Sequence, residues 1–289
     1  MRRLPWEKLM SFRVSSFVAP RSSNGATSPL SRLGSGASSG PFRLEQVRIR
    51  LTPEANRHVH PSAAMESAID AVWREYKERS PRLFNATKFR LQSYQEIADK
   101  SDTHASPSNA QPKLLTLEWG ITDYKTYLGT CCSTNVTQLL ADGKRLAANE
   151  DEFAFLSRKV GVAAVVETSD GKIALIKRSN SVGVYQDMFD TPGGHPEPSH
   201  IGLTAEMLEA FQRDAKKAER GVMEDAAGQE FFASIVNEVH EEINLSDDQI
   251  RPPLLLGVVL QADAATPSFS KVFKRRAAGT VPRGPKGQV

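Results

Sequence analysis

Apolar positions recur along this chain at helical and strand spacings, and the period changes several times. After Pro61 and Ser62, the residues Met65, Ile69, Val72, Trp73 and Tyr76 fall on one face of a helical period. That spacing predicts a core-facing helix ending near Arg79. Residues 88–93 and 114–120 are short β-rich runs separated by a polar loop over 99–112. Helical spacing returns over 135–148. Two more β-rich runs, 160–167 and 172–177, flank Ser169-Asp170-Gly171, whose Asp-Gly pair signals a hairpin. Residues 205–220 read as a charged helix, a surface element or lid, and a further strand is expected near 254–260. No internal repeat is present. Short strands mixed with helices imply an α/β chain.

The densest polar signal sits beside a regular apolar one. Phe232, Ile235, Val236, Val239 and Ile243 form a helical stripe, and Glu238, Glu241 and Glu242 stand next to it. At about 100° per residue, Glu242 lies about 40° and Glu241 about −60° from Glu238, so the three crowd one side. Like charges this close raise one another's pKa unless a cation sits among them. Clustered hard oxygens are what Mg²⁺ or Mn²⁺ takes as ligands. Taken alone, the three glutamates read more simply as the solvated face of an amphipathic helix.

Charge changes the picture once it is divided along the chain. The 289 residues carry a net charge of +3 and a pI near 8.8. Residues 1–43 hold +6 and residues 271–289 hold +6, which leaves −9 for residues 44–270. The basic balance therefore belongs to the two ends, and no nucleic-acid partner is expected. An acidic middle suits a protein that recruits a divalent metal to reach phosphates. No segment approaches the ~20 apolar residues of a membrane span, so no membrane partner is expected. Cys131 and Cys132 are adjacent, a placement that rarely makes a structural bridge and points to a reducing compartment. The Arg- and Ser-rich head has the composition of an organellar transit peptide. A cytoplasmic location is expected, with mitochondrial import as the alternative. Oligomeric state leaves no signal in the sequence.

Upstream of the glutamates runs Phe189-Asp190-Thr191-Pro192-Gly193-Gly194-His195-Pro196-Glu197-Pro198, a turn-forming segment with a charged end. Paired with the glutamate helix, it resembles the Nudix box, G-x5-E-x7-R-E-U-x-E-E-x-G-U, where U is aliphatic. Gly194 stands as the first glycine, and Glu238, Val239, Glu241, Glu242 and Leu245 fit the second half. Glu238 follows Gly194 by forty-four residues where the pattern has fifteen, an insertion of twenty-nine. Read without that gap, Glu209 falls at the Glu238 position and Gln212 and Arg213 at the glutamate pair, and the box fails. His200 takes the first glutamate position, Asn237 replaces the arginine and Asn244 the late glycine. Asn tolerates the left-handed conformation of a helix C-terminus better than most residues. A generic search for the box is expected to pass this chain over.

These departures resemble one branch, the vertebrate-type Nudix hydrolases that cleave UDP-glucose and UDP-galactose. Their interrupted box reads P-G-G-H-P-E-P, then Q-E-x-x-(D/E)-E-x-N-L. The likeness extends over Leu83-Phe84-Asn85-Ala86-Thr87-Lys88-Phe89-Arg90-Leu91, over Gly120-Ile121-Thr122-Asp123-Tyr124-Lys125-Thr126-Tyr127-Leu128-Gly129-Thr130, and over Pro253-Leu254-Leu255-Leu256-Gly257. It implies a Nudix α/β/α sandwich over 156–270 with an N-terminal α+β accessory lobe over 43–155. A disordered basic leader, 1–42, and a disordered basic tail, 271–289, are expected on either side. Relatives continue beyond the strand at 254–260 with more strands and a helix. The sandwich is therefore expected to be C-terminally truncated, with open sheet edges.

The resemblance also implies an activity: Mg²⁺-dependent hydrolysis of a small nucleotide sugar, a UDP-sugar, to UMP and a sugar 1-phosphate, with Mn²⁺ as an alternative metal. Glu238 and Glu242 would hold the metal, and Glu241 would be a further ligand or the base. Substrate contacts are implied at Phe84 (stacking on uracil), Tyr124 (base or ribose), Arg178 (diphosphate), Gly183, Gly194, and at Asp190, His195 and Glu197 (sugar hydroxyls or the metal's surroundings). From the residues alone, Phe84 reads as core, Tyr124 as a strand-end tyrosine, Arg178 as a surface cation and the rest as turn residues. Two alternatives stay open: a Nudix hydrolase for ADP-ribose, NADH or coenzyme A, and a truncated, non-catalytic product.

Overall fold

Two sheets meet on one long helix in the computed structural model, which describes residues 12–15, 41–98, 113–168, 172–177, 189–213, 216–261 and 264–274. Strand β1 (Phe12–Ser15) pairs antiparallel with residues 258–261. Strand β2 (Val47–Leu51) buries Val47, Ile49 and Leu51 and exposes Arg48 and Arg50, the period of a half-buried strand. Helix α1 (Ala63–Arg79) forms where its spacing predicts, with Lys77 and Arg79 in the last turn, where cations suit the helix dipole. Strands β3 (Thr87–Ala98) and β4 (Lys113–Asp123) pair antiparallel, with a register shift between Leu91 and Ser93. With β2 parallel to β4, the first sheet has the order β2-β4-β3.

Helix α2 (Tyr124–Cys131) was not announced by the spacing. Its last five residues are all buried, so no polar face marks a period. Asp123 starts it by accepting a hydrogen bond from the Thr126 amide at 2.8 Å. Helix α3 (Val136–Leu146) follows, then β5 (Gly161–Glu167), and β6 (Ile176–Lys177) pairs with β7 (Phe189–Asp190). The expected turn residues 169–171 lie outside the described residues. On either side of them Glu167 bridges Ile173, and the Thr168 amide donates to the Lys172 carbonyl at 2.8 Å, as a hairpin requires.

The short strand β8 (Gly193–Gly194) lies antiparallel on β5. Residues 205–220 do not form one helix. Helix α4 (Ala205–Ala210) ends where Leu208 and Phe211 are buried, three residues apart, and anchor the turn to the core. Helix α5 (Lys217–Ile243) then begins inside the insertion. What reads as a separate lid is thus partly the amino-terminal stretch of the helix that carries Glu238.

Strands β9 (Leu254–Gln261) and β10 (Pro267–Lys274) complete the second sheet, ordered β1-β9-β10-β5-β8. Here the expected boundary at 270 gives way. Strand β10 lies antiparallel to β9 and parallel to β5, so β5 has neighbours on both sides. Lys271, expected as the first residue of a disordered tail, is fully buried. Phe269, Lys271 and Phe273 alternate onto one face, and the two phenylalanines carry the lysine inward. Phe42, expected as the last residue of the leader, is also buried, and its backbone exchanges two hydrogen bonds with Leu255 at 2.9 and 2.8 Å.

Helix α5 sits in a core shared by both sheets. Phe89, Trp119, Phe231 and Phe269 form a line of ring contacts with centroids 4.8, 5.3 and 5.2 Å apart, running from the first sheet through α5 to β10. Arg90, buried in β3, donates to the carbonyls of Ala55, Phe153 and Leu156 at 2.8, 2.7 and 2.9 Å, which compensates its burial. No helix among the described residues is long and apolar enough to cross a membrane.

Candidate active site

The glycine turn and the glutamate helix are in contact. The Gly193 amide donates to Oε2 of Glu242 at 3.0 Å. A β-carbon on Gly194 would lie 1.7 Å from Oε1 of Glu238, so only glycine leaves that carboxylate its place. A β-carbon on Gly193 would stand 2.7 Å from the Val162 carbonyl of β5. The turn is thus pressed between the edge of the sheet and the carboxylates of α5. At the far end of that helix, Asn244 adopts φ 55° and ψ 40°, the left-handed cap expected from its place in the box.

Glu238 is half-buried, while Glu241 and Glu242 are exposed. Its pKa is pushed up to about 7, first by burial and then by Glu242, Glu241 and Glu197, with Lys88 opposing. The crowding expected from the helical wheel is present, but burial is the larger cause.

A second set of polar groups flanks the turn. Lys88 of β3, 6% exposed, pairs with Oε1 of Glu197. The Glu197 amide donates to Oε1 of Glu230 at 3.1 Å, and the same oxygen lies 2.9 Å from Nδ1 of His200. Nζ of Lys159, 8% exposed, meets Nε2 of His195 and stands 4.4 Å from the Tyr127 ring centroid. Glu230 was readable in advance: at about −80° from Glu238 it shares the side of Glu241. Lys88 lies within the Nudix-like run over 83–91, where nothing local marks it as buried, and Lys159 carries no such signal.

The other expected positions are more scattered. Phe84 is 75% exposed, so the core reading of this residue fails. It shares a corner with Tyr124: the Tyr124 amide donates to the Ala86 carbonyl at 3.0 Å, and the Lys125 amide to Oδ1 of Asn85 at 2.7 Å. Asp190 is exposed on β7, where its carboxylate accepts from the Thr191 amide at 2.8 Å. Arg178 and Gly183 lie outside the described residues.

Among the described residues, no three His, Cys, Asp or Glu side chains converge as a ready cage for a metal ion. The donor set still fits a hard cation. Mg²⁺ is typically held by one or two carboxylates, with waters and substrate phosphates completing its octahedron. Glu238 and Glu242, one turn apart and both against the glycine turn, supply that pair.

No family model matches the chain, in keeping with a box split by an insertion. Individual proteins do match. The chain is 32% identical over 216 residues to Nudix hydrolase 9 of Arabidopsis thaliana, covering 74% of this chain and 64% of that protein. It is 30% identical over 226 residues to uridine diphosphate glucose pyrophosphatase NUDT22 of Mus musculus, covering 78% and 66%. It is 31% identical over 230 residues to the protein of the same name in Homo sapiens, covering 78% and 67%. The chain thus spans just under two thirds of the length of the first two relatives. With its glycine turn seated on the glutamate helix across the insertion, the chain belongs to the Nudix hydrolase superfamily, in the branch of the uridine diphosphate glucose pyrophosphatases.

Proposed function

We propose that this protein hydrolyses the diphosphate of UDP-sugars, UDP-glucose and UDP-galactose among them, to UMP and a sugar 1-phosphate, with Mg²⁺ held by Glu238 and Glu242. The observation that carries the proposal is the seating of Gly193 and Gly194 on those two carboxylates, since it brings backbone and ligands to one point. The names of the mouse and human relatives support the choice of substrate.

A bound Mg²⁺ supplies charge neutralisation and polarises the phosphoryl group under attack. The chain supplies the rest. Glu238, raised to about 7, is only partly ionised at neutral pH, and a cation beside it would favour its charged form. Glu241, exposed on the same side of α5, takes the proton of the attacking water. That water's oxygen bonds to one phosphorus as the bridging P–O bond breaks, releasing UMP and the sugar 1-phosphate. Gly194, having no side chain, leaves the Glu238 carboxylate its place against the turn. His195 and Glu197 bind sugar hydroxyls, Phe84 stacks on uracil and Tyr124 bonds to base or ribose. Catalysis of this kind is mostly positioning and electrostatic stabilisation.

The test is a substrate panel with the purified full chain and Mg²⁺: UDP-glucose, UDP-galactose, ADP-ribose, NADH and coenzyme A, with products separated by chromatography. Release of UMP from the UDP-sugars is expected. Rapid ADP-ribose cleavage beside intact UDP-glucose would overturn the choice of substrate.

A further inference from the structure

We infer that Lys88 and Lys159 are a pair of positioning residues that lock Glu197 and His195, and that Lys159 thereby sets which nitrogen of His195 carries the proton. Its consequence for catalysis rests on the UDP-sugar reading above, whereas its geometry does not.

Lysines are rarely buried, yet these two are 6% and 8% exposed. Both come from backbone that is pinned in place. Lys88 pairs across the sheet with Thr122, and Lys159 forms a bridge with Arg90 of β3. On either side of Lys159 the Leu91 amide donates to the Arg158 carbonyl at 3.2 Å, and the Val160 amide to the Phe89 carbonyl at 2.8 Å. The Arg158 guanidinium beside it bonds to the carbonyls of Ala265 and Leu91, both at 3.2 Å. Such a support fixes where the ammonium group can reach.

The two ammonium groups end on the two polar residues that flank Pro196. Lys88 takes one oxygen of Glu197, and the Ser199 hydroxyl donates to the other at 3.3 Å. Lys159 lies against the ring of Tyr127, itself buried, and meets Nε2 of His195. An ammonium group has three donors and no acceptor. Nε2 of His195 must therefore accept, and the proton of the neutral ring sits on Nδ1. Nδ1 is then the nitrogen from which His195 donates. Tautomer control by the partner of the other ring nitrogen is a general device of histidine sites.

The experiment combines Lys159→Met, Lys159→Arg and Lys88→Met with ¹⁵N-histidine NMR of the substrate-free full chain, His195 being assigned with His195→Gln. In the wild type the His195 signals should report a proton on Nδ1. In Lys159→Met they should shift towards the Nε2–H form. With UDP-glucose, Lys159→Met and Lys88→Met should each lower kcat/KM about 10–100-fold. Lys159→Arg should recover part of the loss, because a guanidinium also only donates. A merely structural role would not move the tautomer. A wild-type proton on Nε2 overturns the inference. So does a Lys159→Met protein with unchanged histidine signals or unchanged turnover. Should Lys159→Met fail to fold, the wild-type spectrum decides. A wild-type chain that leaves UDP-glucose intact sinks the proposed function and leaves the nitrogen signals to judge this inference separately.

Discussion

Gly194 and Glu238 are separated by the whole inserted segment, yet a β-carbon on the first would lie 1.7 Å from the carboxylate of the second. The nearest atom is the tip of a flexible side chain, so Gly194→Ala should fold with little loss of melting temperature. The carboxylate, however, must swing away. Turnover of UDP-glucose should fall on the order of 100-fold, the effect of an ångström-scale misplacement at a reacting centre. Full activity in a folded Gly194→Ala protein would break the link between the turn and the metal site.

Glu238 makes metal-free stability depend on pH. Its folded pKa of about 7 lies above its ordinary 4.5. Between these values the folded state binds more protons than the unfolded one, so stability falls as pH rises through this window. Thermal melts with a chelator should therefore show the wild type losing ground to Glu238→Gln between pH ~4.5 and ~7, with a constant gap above. Added Mg²⁺ should narrow that gap for the wild type, and Glu238→Gln should have no Mg²⁺-dependent turnover. Parallel melting curves across the window would count against the raised carboxyl.

Phe84 separates stability from binding. At 75% exposure its truncation should change stability by no more than ~0.5 kcal/mol. If the ring stacks on uracil, Phe84→Ala should raise KM for UDP-glucose roughly 5–150-fold, the equivalent of ~1–3 kcal/mol per stacked base. Isothermal titration with UMP, alongside kinetics, checks both halves. An unchanged KM removes Phe84 from the substrate site.

What could be read from the sequence depended on how local the signal was. The glycine turn and the three glutamates are short runs whose chemistry does not change with context. Helix α1 shows its apolar face, whereas the buried second half of α2 shows no face at all. Lys88 and Lys159 were opaque for a related reason: a lysine reads as surface, and only a fold that supplies partners makes a buried one tolerable. Lys271 misled in the same way, since basic residues behind it read as a tail while Phe269 and Phe273 were building a strand. The helix expected over 205–220 was misplaced because its period takes no account of Phe211 turning into the core.

Lys271 gives a prediction of opposite sign to that of Glu238. Burial holds its pKa well below the ordinary 10.5. Between its lowered folded value and 10.5 the unfolded chain binds more protons, so stability rises with pH across that window and levels off once the unfolded lysine has titrated. Lys271→Met loses the hydrogen bond to the Phe231 carbonyl, 2.7 Å long, but that carbonyl belongs to a helical turn and keeps its helical partner. The variant should melt higher than the wild type at about pH 6, by ~2–4 °C per kcal/mol recovered, with a smaller margin at about pH 9. A lower melting temperature for Lys271→Met at both values would show that the ammonium contributes more through its contacts than it loses by burial.

The pairing of β10 with β5 joins residues 268–274 to residues 161–167. Contacts so distant in sequence close late, because chain entropy is lost before the pairing returns anything. During synthesis α5 leaves the ribosome before the strand it rests on, and Phe231 waits for Phe269. The register between the glycine turn and the carboxylates is therefore expected to close late in folding, behind a strand whose pairing partners are β5 and β9.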